Sequence, residues 1–251
     1  MVLFKLQCRP GEEQATIGVR ISTICRDLSI KSLKSSSLRP VLEIQIHLRC
    51  LSSTQPSRPI TISTSGTVFD NAKPEHGHMD NLAQGRLSGG LVCNQSRGNK
   101  VIPFGSFKVH RAHQDGDDAP DLRSRPDFYF LTIPAQESGE EVTVTHTLTS
   151  ERLFAFAEKM TPNDLAVGET WNISLHEGYL GTTWWCWGSL GDDLKGKKFH
   201  AFSKGACFLW SGDGPDQEEV EKEGWVIGDD AAQLRFVVED GGASYSVEVV
   251  E

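Results

Sequence analysis

The stretch of sequence that decides the fold class is Val41-Leu42-Glu43-Ile44-Gln45-Ile46-His47-Leu48-Arg49. From Leu42 onward, apolar residues alternate with charged or polar ones. Successive side chains of a β-strand point to opposite faces, so this segment has one apolar face and one polar face. The pattern predicts a half-buried β-strand.

Segments of similar character flank this strand and extend the prediction to most of the chain. The clearest is 142–148, where apolar residues again take every second position. Further strands are predicted at 59–64, 67–69, 90–93, 106–111 and 128–133. One helix is predicted at 150–160, because Ser150 can cap its start and Pro162 lies just beyond its end. Many strands and a single short helix predict an all-β protein, built as an antiparallel β-sandwich.

The end of the chain predicts a β-hairpin. Residues 234–238 and 245–250 both alternate, and Glu239-Asp240-Gly241-Gly242 between them contains typical turn residues. Residues 204–251 contain twelve acidic and three basic residues. We therefore expect an acidic C-terminal hairpin extension at 204–251, which either joins the sandwich or forms an appended lobe.

The beginning of the chain differs in composition. Residues 1–39 contain seven basic and three acidic residues, lack a clean periodicity and run into the serine-rich stretch 34–40. The segment is predicted to be a basic, loosely ordered N-terminal arm, with short strands at 3–6 and 17–24 as an alternative. Residues 40–203 are then the β-sandwich domain.

Residues 165–175, Leu-Ala-Val-Gly-Glu-Thr-Trp-Asn-Ile-Ser-Leu, carry a resemblance to known folds. The segment resembles the Leu-x-Pro-Gly-x-x-Tyr corner of immunoglobulin-like and fibronectin type III sandwiches, with Val167 in place of proline and Trp171 in place of tyrosine. Residues 40–203 are also similar to uncharacterised all-β proteins of fungal genomes. The resemblances imply an immunoglobulin-like sandwich and no particular activity.

Charge and hydropathy narrow the classes of partner. A net charge of −9 argues against a nucleic-acid-binding protein, because such proteins neutralise phosphates with lysine and arginine. No segment approaches the roughly 18 apolar residues of a membrane span, and no secretory signal is evident. We expect a cytoplasmic protein. Mitochondrial import is a weaker alternative, since the arginine- and serine-containing start also carries Glu12 and Glu13.

No cofactor or metal is expected from the motifs. The six cysteines are spread singly without a Cys-x-x-Cys pair, which predicts buried or inert thiols. Residues 191–198, Gly-Asp-Asp-Leu-Lys-Gly-Lys-Lys, approximate a phosphate-binding loop but lack its serine or threonine and precede a strand, so a turn is predicted. The pairs His76/His78 and His110/His113 lie in polar loops without the spacing of a metal site.

No catalytic residue can be named from the sequence. The chain has no Gly-x-Ser-x-Gly motif, and His146 on the apolar side of its strand is predicted to be a hydrogen-bonded core histidine. Triads can assemble from residues that are distant in sequence. An enzyme without a motif is therefore the other alternative, which a cleft with a perturbed histidine or carboxylate in the structure would favour.

The tryptophan-rich stretch Trp184-Trp185-Cys186-Trp187 is the candidate binding site. If it forms a strand, Trp184 and Cys186 share one face and Trp185 and Trp187 the other. The hypothesis is that Trp185 and Trp187 form an exposed partner or ligand surface. The alternative is that the C-terminal segment or the N-terminal arm covers them. The chain is predicted to be a non-catalytic protein-binding or scaffold module, with a small-molecule or carbohydrate binder as alternative.

Overall fold

The computed structural model describes residues 13–35, 39–70, 90–93, 100–105, 121–125, 128–203 and 217–251. This part of the chain is mostly β, which confirms the all-β prediction at that level. Its strands are β1 (Ala15–Thr23), β2 (Asp27–Ser29), β3 (Pro40–Ser53), β4 (Ile60–Ser63), β5 (Gly90–Cys93), β6 (Lys100–Pro103), β7 (Phe130–Ile133), β8 (Val142–Thr149), β9 (Thr170–Ser174), β10 (Trp185–Trp187), β11 (Lys198–Ser203), β12 (Trp225–Gly228), β13 (Leu234–Val238) and β14 (Ser244–Val250).

Short helices occur at three places in the described chain, where one was predicted. They are α1 (Ile30–Lys34), α2 (Ser150–Phe154) and α3 (Gln217–Lys222). Helix α2 begins where the sequence predicted, but the Thr149 side chain caps it by accepting from the Arg152 amide. It ends after five residues instead of extending to Met160. None of the described helices combines the length and the apolar character needed to cross a bilayer.

Strand β3 is the strand predicted from residues 41–49, and it lies inside a four-stranded sheet of order β13-β1-β3-β8, called sheet I. Its apolar residues Leu42, Ile44, Ile46 and Leu48 are buried. Its polar positions remain at least partly accessible, except for His47, which is only 8% exposed. The predicted alternation is therefore confirmed, and His47 is the position that departs from it.

The prediction of a loosely ordered N-terminal arm is wrong for the part of it that the structure describes. Strand β1 lies between β3, with which it is antiparallel, and β13, with which it is parallel. Its alternate residues Ala15, Ile17, Val19 and Ile21 are buried in the core. The period-2 pattern was present in Ile17, Val19 and Ile21, but Gly18 stands at one of the polar positions and weakens it. Residues 1–12 lie outside the described residues.

The two C-terminal strands do not pair with each other, so the predicted hairpin is wrong. Strand β13 belongs to sheet I, whereas β14 belongs to a second sheet of order β2-β14-β9-β5-β6, called sheet II. The connection between them is bonded to β1: the Glu239 amide donates to the Val19 carbonyl, and the Ile21 amide donates to the Gly242 carbonyl. These bonds hold the connection on β1, and the chain then enters sheet II.

Sheets I and II share one core with a three-stranded sheet of order β10-β4-β7, called sheet III. A smaller cluster, which contains Trp184 and Phe199, lies beside the parallel pair β11-β12. The pairs β1-β13, β2-β14 and β11-β12 are parallel. The sheets are therefore mixed, and the wholly antiparallel arrangement expected from the sequence is corrected.

The corner at residues 165–171 is stabilised differently from the one it resembles. Gly168 turns the chain with a φ of 84°, and Trp171 is fully buried at the start of β9. The indole Nε1 of Trp171 has no hydrogen-bond partner among the described residues. Instead, the Glu169 carboxylate accepts from the Ala166 amide at 3.0 Å and from Lys100 Nζ at 2.6 Å.

Candidate functional site

The tryptophan-rich segment forms β10, which pairs with β4 in sheet III. Trp184 and Cys186 pack in the smaller cluster, whereas Trp185 and Trp187 pack in or against the main core. The predicted division of the four side chains between two faces is thus confirmed.

Neither face of β10 forms the exposed tryptophan surface that was expected. Trp185 is fully buried, and its Nε1 donates to the carbonyl of Asp230 at 2.8 Å. Trp187 is half-buried with its ring 5.4 Å from that of Trp185. The C-terminal segment around Asp229 lies against Trp185, since the Asp229 amide donates to the Trp185 carbonyl. A partner cannot contact Trp185 in this structure.

The other motifs give no site in the described chain. Residues 191–197 form a turn closed by Asp193 Oδ1, which accepts from the Ser189 amide at 2.6 Å, and β11 follows it, so the turn prediction is confirmed. The histidine pairs His76/His78 and His110/His113 lie outside the described residues. Within those residues, no group of three or more His, Cys, Asp or Glu could hold a metal ion.

The described cysteines are free thiols. Cys50, Cys93 and Cys186 are buried as predicted, and Cys25 is exposed. Burial raises the pKa of the Cys50 and Cys186 thiols, so both are protonated and poorly nucleophilic at neutral pH. His146 is the core histidine that the sequence predicted, with its Nε2 at 2.7 Å from the Val68 carbonyl.

Polar chemistry concentrates instead on the outer side of sheet I. The buried residues of β1, β3 and β8 point to the core, so the alternate residues of these strands share the opposite side. We call this side the polar face. Its members in the described chain are Thr16, Gly18, Arg20, Ser22, Glu43, Gln45, His47, Arg49, Leu51, Thr143, Thr145 and Thr147, with Glu141 and Glu239 at its margins.

His47 is the centre of the polar face. It lies opposite Arg20 of β1 and Thr143 of β8 in the sheet register. Its Nε2 is 2.7 Å from the Ser22 hydroxyl oxygen. Its Nδ1 is 2.9 Å from the Thr143 hydroxyl oxygen and 3.2 Å from Glu141 Oε1. Both ring nitrogens of a largely buried histidine therefore have polar neighbours.

Glu141, the residue before β8, joins the histidine to an arginine. Arg20 Nη2 donates to both carboxylate oxygens of Glu141, at 2.6 and 2.8 Å. Both side chains are 37% exposed. The side chains thus form a row in which Ser22 contacts His47 and His47 contacts Glu141. The guanidinium of Arg20 binds the same carboxylate.

The environment sets the protonation of this cluster. Burial of the imidazole, followed by the nearby positive charge of Arg20, lowers the pKa of His47 below its ordinary value, against the opposing effect of Glu141. The hydrogen bond from Arg20 is the main cause that lowers the pKa of Glu141. At neutral pH His47 is neutral and Glu141 is ionised.

A second arginine lies further along the same face. Arg49 Nε donates to the Glu239 carboxylate at 3.0 Å, and Arg49 Nη2 also bonds to it. Leu51 is 38% exposed, and both its side chain and that of Glu239 lie over Gly18, where a Cβ atom would come within 2.9 Å of each. Gly18 thus provides the space that brings these side chains together.

No local motif in the sequence marks this cluster. His47 was visible as a histidine on the polar side of a strand, but Ser22 lay in the presumed arm and Glu141 in a loop. Their meeting depends on the pairing of β1 with β3 and of β3 with β8, which no local motif encodes.

Comparison of the chain with models of protein families, with curated proteins and with solved structures finds no match.

Proposed function

We propose that the chain is a protein-binding module that contacts its partner through the polar face of sheet I. The observation that carries the proposal is the pair of arginines, Arg20 and Arg49, held by carboxylates from other segments beside the exposed Leu51. Because Trp185 is fully buried and Trp187 is half-buried against it, β10 gives little support to a stacking platform for a small molecule or a carbohydrate.

Fixed arginines favour binding for an entropic reason. A long side chain normally loses rotamer freedom when a partner immobilises it, which costs about 0.5–1.5 kcal/mol. Arg20 and Arg49 are already held by Glu141 and Glu239, so much of that loss has occurred before binding. Arginine is also enriched among the residues that dominate interface energies.

The chemistry of the face indicates the kind of partner. Each guanidinium has five N–H donors, and the carboxylates engage only some of them, so a partner's carbonyl oxygens can accept the rest. Leu51, two positions beyond Arg49 on the same face of β3, supplies an exposed apolar contact. The net charge of −9 favours a neutral or basic protein over a nucleic acid and over an acidic membrane surface.

Two further inferences concern the type of β fold and the cellular location. We infer that sheets I and II form an immunoglobulin-like sandwich, supported by their common core and by the corner at residues 165–171. We also infer a cytoplasmic location, supported by the free thiols of the described cysteines, since the cytosol keeps thiols reduced.

The test is affinity capture with a variant of the face and a matched control. Arg49→Ala/Leu51→Ser removes one guanidinium and the apolar contact, whereas Lys195→Ala/Val167→Ser removes a cation and an exposed apolar side chain elsewhere. A purified partner recovered with the native chain should bind the control equally and the face variant about tenfold or more weakly. Equal binding of the face variant would reject the polar face as the interface.

A further inference from the structure

We propose that Ser22, His47 and Glu141 form a nucleophilic unit that hydrolyses carboxylic esters by acyl transfer. This activity goes beyond protein binding: it shares Arg20 with the proposed interface, but its serine, histidine and carboxylate need neither Arg49 nor Leu51. The substrate class is small, unhindered esters, which can reach the half-buried Ser22 hydroxyl from the open side of sheet I.

The geometry matches the order of groups that activates a serine. A catalytic serine donates its hydroxyl hydrogen to one nitrogen of a histidine, and the other nitrogen faces a carboxylate. Here Ser22 Oγ is 2.7 Å from His47 Nε2, and Glu141 Oε1 is 3.2 Å from His47 Nδ1. The three residues come from β1, from β3 and from the position preceding β8, so the sheet fixes their spacing.

The carboxylate beside His47 favours the tautomer that this chemistry requires. An ionised carboxylate can only accept a hydrogen bond, so Glu141 favours the hydrogen on Nδ1. Thr143, whose hydroxyl oxygen is 2.9 Å from Nδ1, can accept from the same hydrogen. The Nε2 lone pair then faces the Ser22 hydroxyl at 2.7 Å, a shorter distance than the 3.3 Å from that hydroxyl to its other acceptor, Gln45 Oε1. Burial keeps the pKa of His47 low, so the neutral base is present at neutral pH.

The reaction balances with water as the only co-reactant. The Ser22 oxygen attacks the carbonyl carbon of the ester while its proton passes to His47 Nε2. The tetrahedral adduct then collapses, the bond to the alkoxide breaks, and that alkoxide takes the proton from Nε2 and leaves as the alcohol. Water next attacks the acylated Ser22 with His47 as base, and the serine oxygen regains a proton as the carboxylic acid departs.

Arg20 is the candidate for stabilising the negative charge that develops on the carbonyl oxygen. It precedes Ser22 by two positions on the same side of β1, so the two side chains are neighbours on the polar face. Its Nη2 binds Glu141, and the remaining N–H groups of the guanidinium can donate to an oxyanion. Its positive charge also restrains protonation of His47 before the reaction begins.

Two probes test the proposal on the native chain. A fluorophosphonate should transfer its phosphonyl group to the Ser22 oxygen with loss of fluoride, which peptide mass spectrometry locates. Steady-state hydrolysis of 4-nitrophenyl acetate should be lost in Ser22→Ala and fall about 100-fold or more in His47→Gln. The rate should increase with pH to a plateau as His47 becomes neutral, with Arg20 and Glu141 as the charged groups facing it.

Matched controls separate this unit from ordinary surface chemistry. Ser246→Ala removes a surface serine that donates to Asn172 at 2.5 Å, and His176→Gln removes an exposed histidine. Both should retain native hydrolysis and labelling. Labelling at any residue other than Ser22, absence of labelling, or native hydrolysis in Ser22→Ala would each overturn the proposal. The variant Arg49→Ala/Leu51→Ser keeps Ser22, His47 and Glu141. It should therefore retain hydrolysis and labelling even if it loses partner binding, so the two proposals can fail independently.

Discussion

Two regions of this protein, the Trp184–Trp187 stretch and the cluster around His47, differ in how far the sequence alone reveals them. The Trp184–Trp187 stretch is conspicuous in the sequence and is largely buried in the structure. The cluster around His47 is inconspicuous in the sequence and lies on an accessible face. Local density of aromatic residues thus indicated the core, whereas the reactive groups were assembled by strand pairing.

The contrast has a physical origin in what each region contributes. Indole rings bury a large apolar area, so a cluster of them gains most by packing inside the protein. Serine, histidine and glutamate gain by exchanging hydrogen bonds at a surface that water still reaches. The first region should therefore govern stability and the second reactivity. Three experiments test this division: two substitutions in the tryptophan region and one pH series.

Trp185→Ala should produce the largest effect. The side chain is fully buried and its Nε1 donates to the Asp230 carbonyl, so truncation removes apolar burial and leaves a cavity. We expect a loss of about 3–5 kcal/mol in the free energy of unfolding, measured by urea denaturation. Trp187→Ala, at a half-buried position, should cost less. Equal, small losses would mean that β10 contributes little to the core, and the division would fail.

Gly228→Ala tests the other face of the same region. A Cβ atom at Gly228 would lie 2.6 Å from the ring of Trp184. That ring cannot easily move, because its Nε1 donates to the His200 carbonyl at 3.0 Å and it stacks on Phe199. We expect a loss of about 1–3 kcal/mol from overpacking, again by urea denaturation.

The control for Gly228→Ala is Gly191→Ala. At Gly191 a Cβ atom would meet only Ser189 Oγ, at an ordinary contact distance of 3.8 Å. Stability should change by no more than about 0.5 kcal/mol there. If both substitutions were neutral, the close packing of β12 against Trp184 would be contradicted.

The sequence predicted individual strands well and their partners poorly. The segment 41–49, the segment 142–148 and both C-terminal strands were identified, because each has a strong period-2 pattern. The hairpin failed because alternation says nothing about which sheet a strand joins. Strand β13 pairs in parallel with β1, a contact between residues more than 200 positions apart.

The cluster on the polar face was hidden for the same reason. Ser22 and His47 are diagonal neighbours only because Ser22 aligns with Gln45 in the pairing of β1 with β3. A shift of one residue would turn the Ser22 side chain to the opposite face. The one local sign was His47 itself, a histidine at a polar position of a strongly predicted strand. Its environment, and so its chemistry, followed from neighbours that only the fold supplies.

The smallest expected effect is on the pH dependence of stability. It arises because the pKa of His47 differs between the folded and the unfolded chain. Burial and Arg20 lower the pKa of His47 in the folded chain below the ordinary value of 6.5. As pH falls below that value, the unfolded chain binds a proton that the folded chain does not yet bind. The free energy of unfolding should therefore decrease as pH falls from about 7 to about 5, by at most about 1.4 kcal/mol per pH unit for one such group.

Chemical denaturation at a series of pH values measures this slope. His200, whose pKa is also lowered by burial, contributes in the same direction, so His47→Gln should reduce the slope without abolishing it. Gln45→Ala changes a neighbouring side chain on β3 without removing a titrating group, and its slope should match that of the native chain. An unchanged slope in His47→Gln would show that the imidazole is as hydrated in the fold as in the unfolded chain. The polar face would then lack the low-pKa base that distinguishes it from an ordinary strand surface.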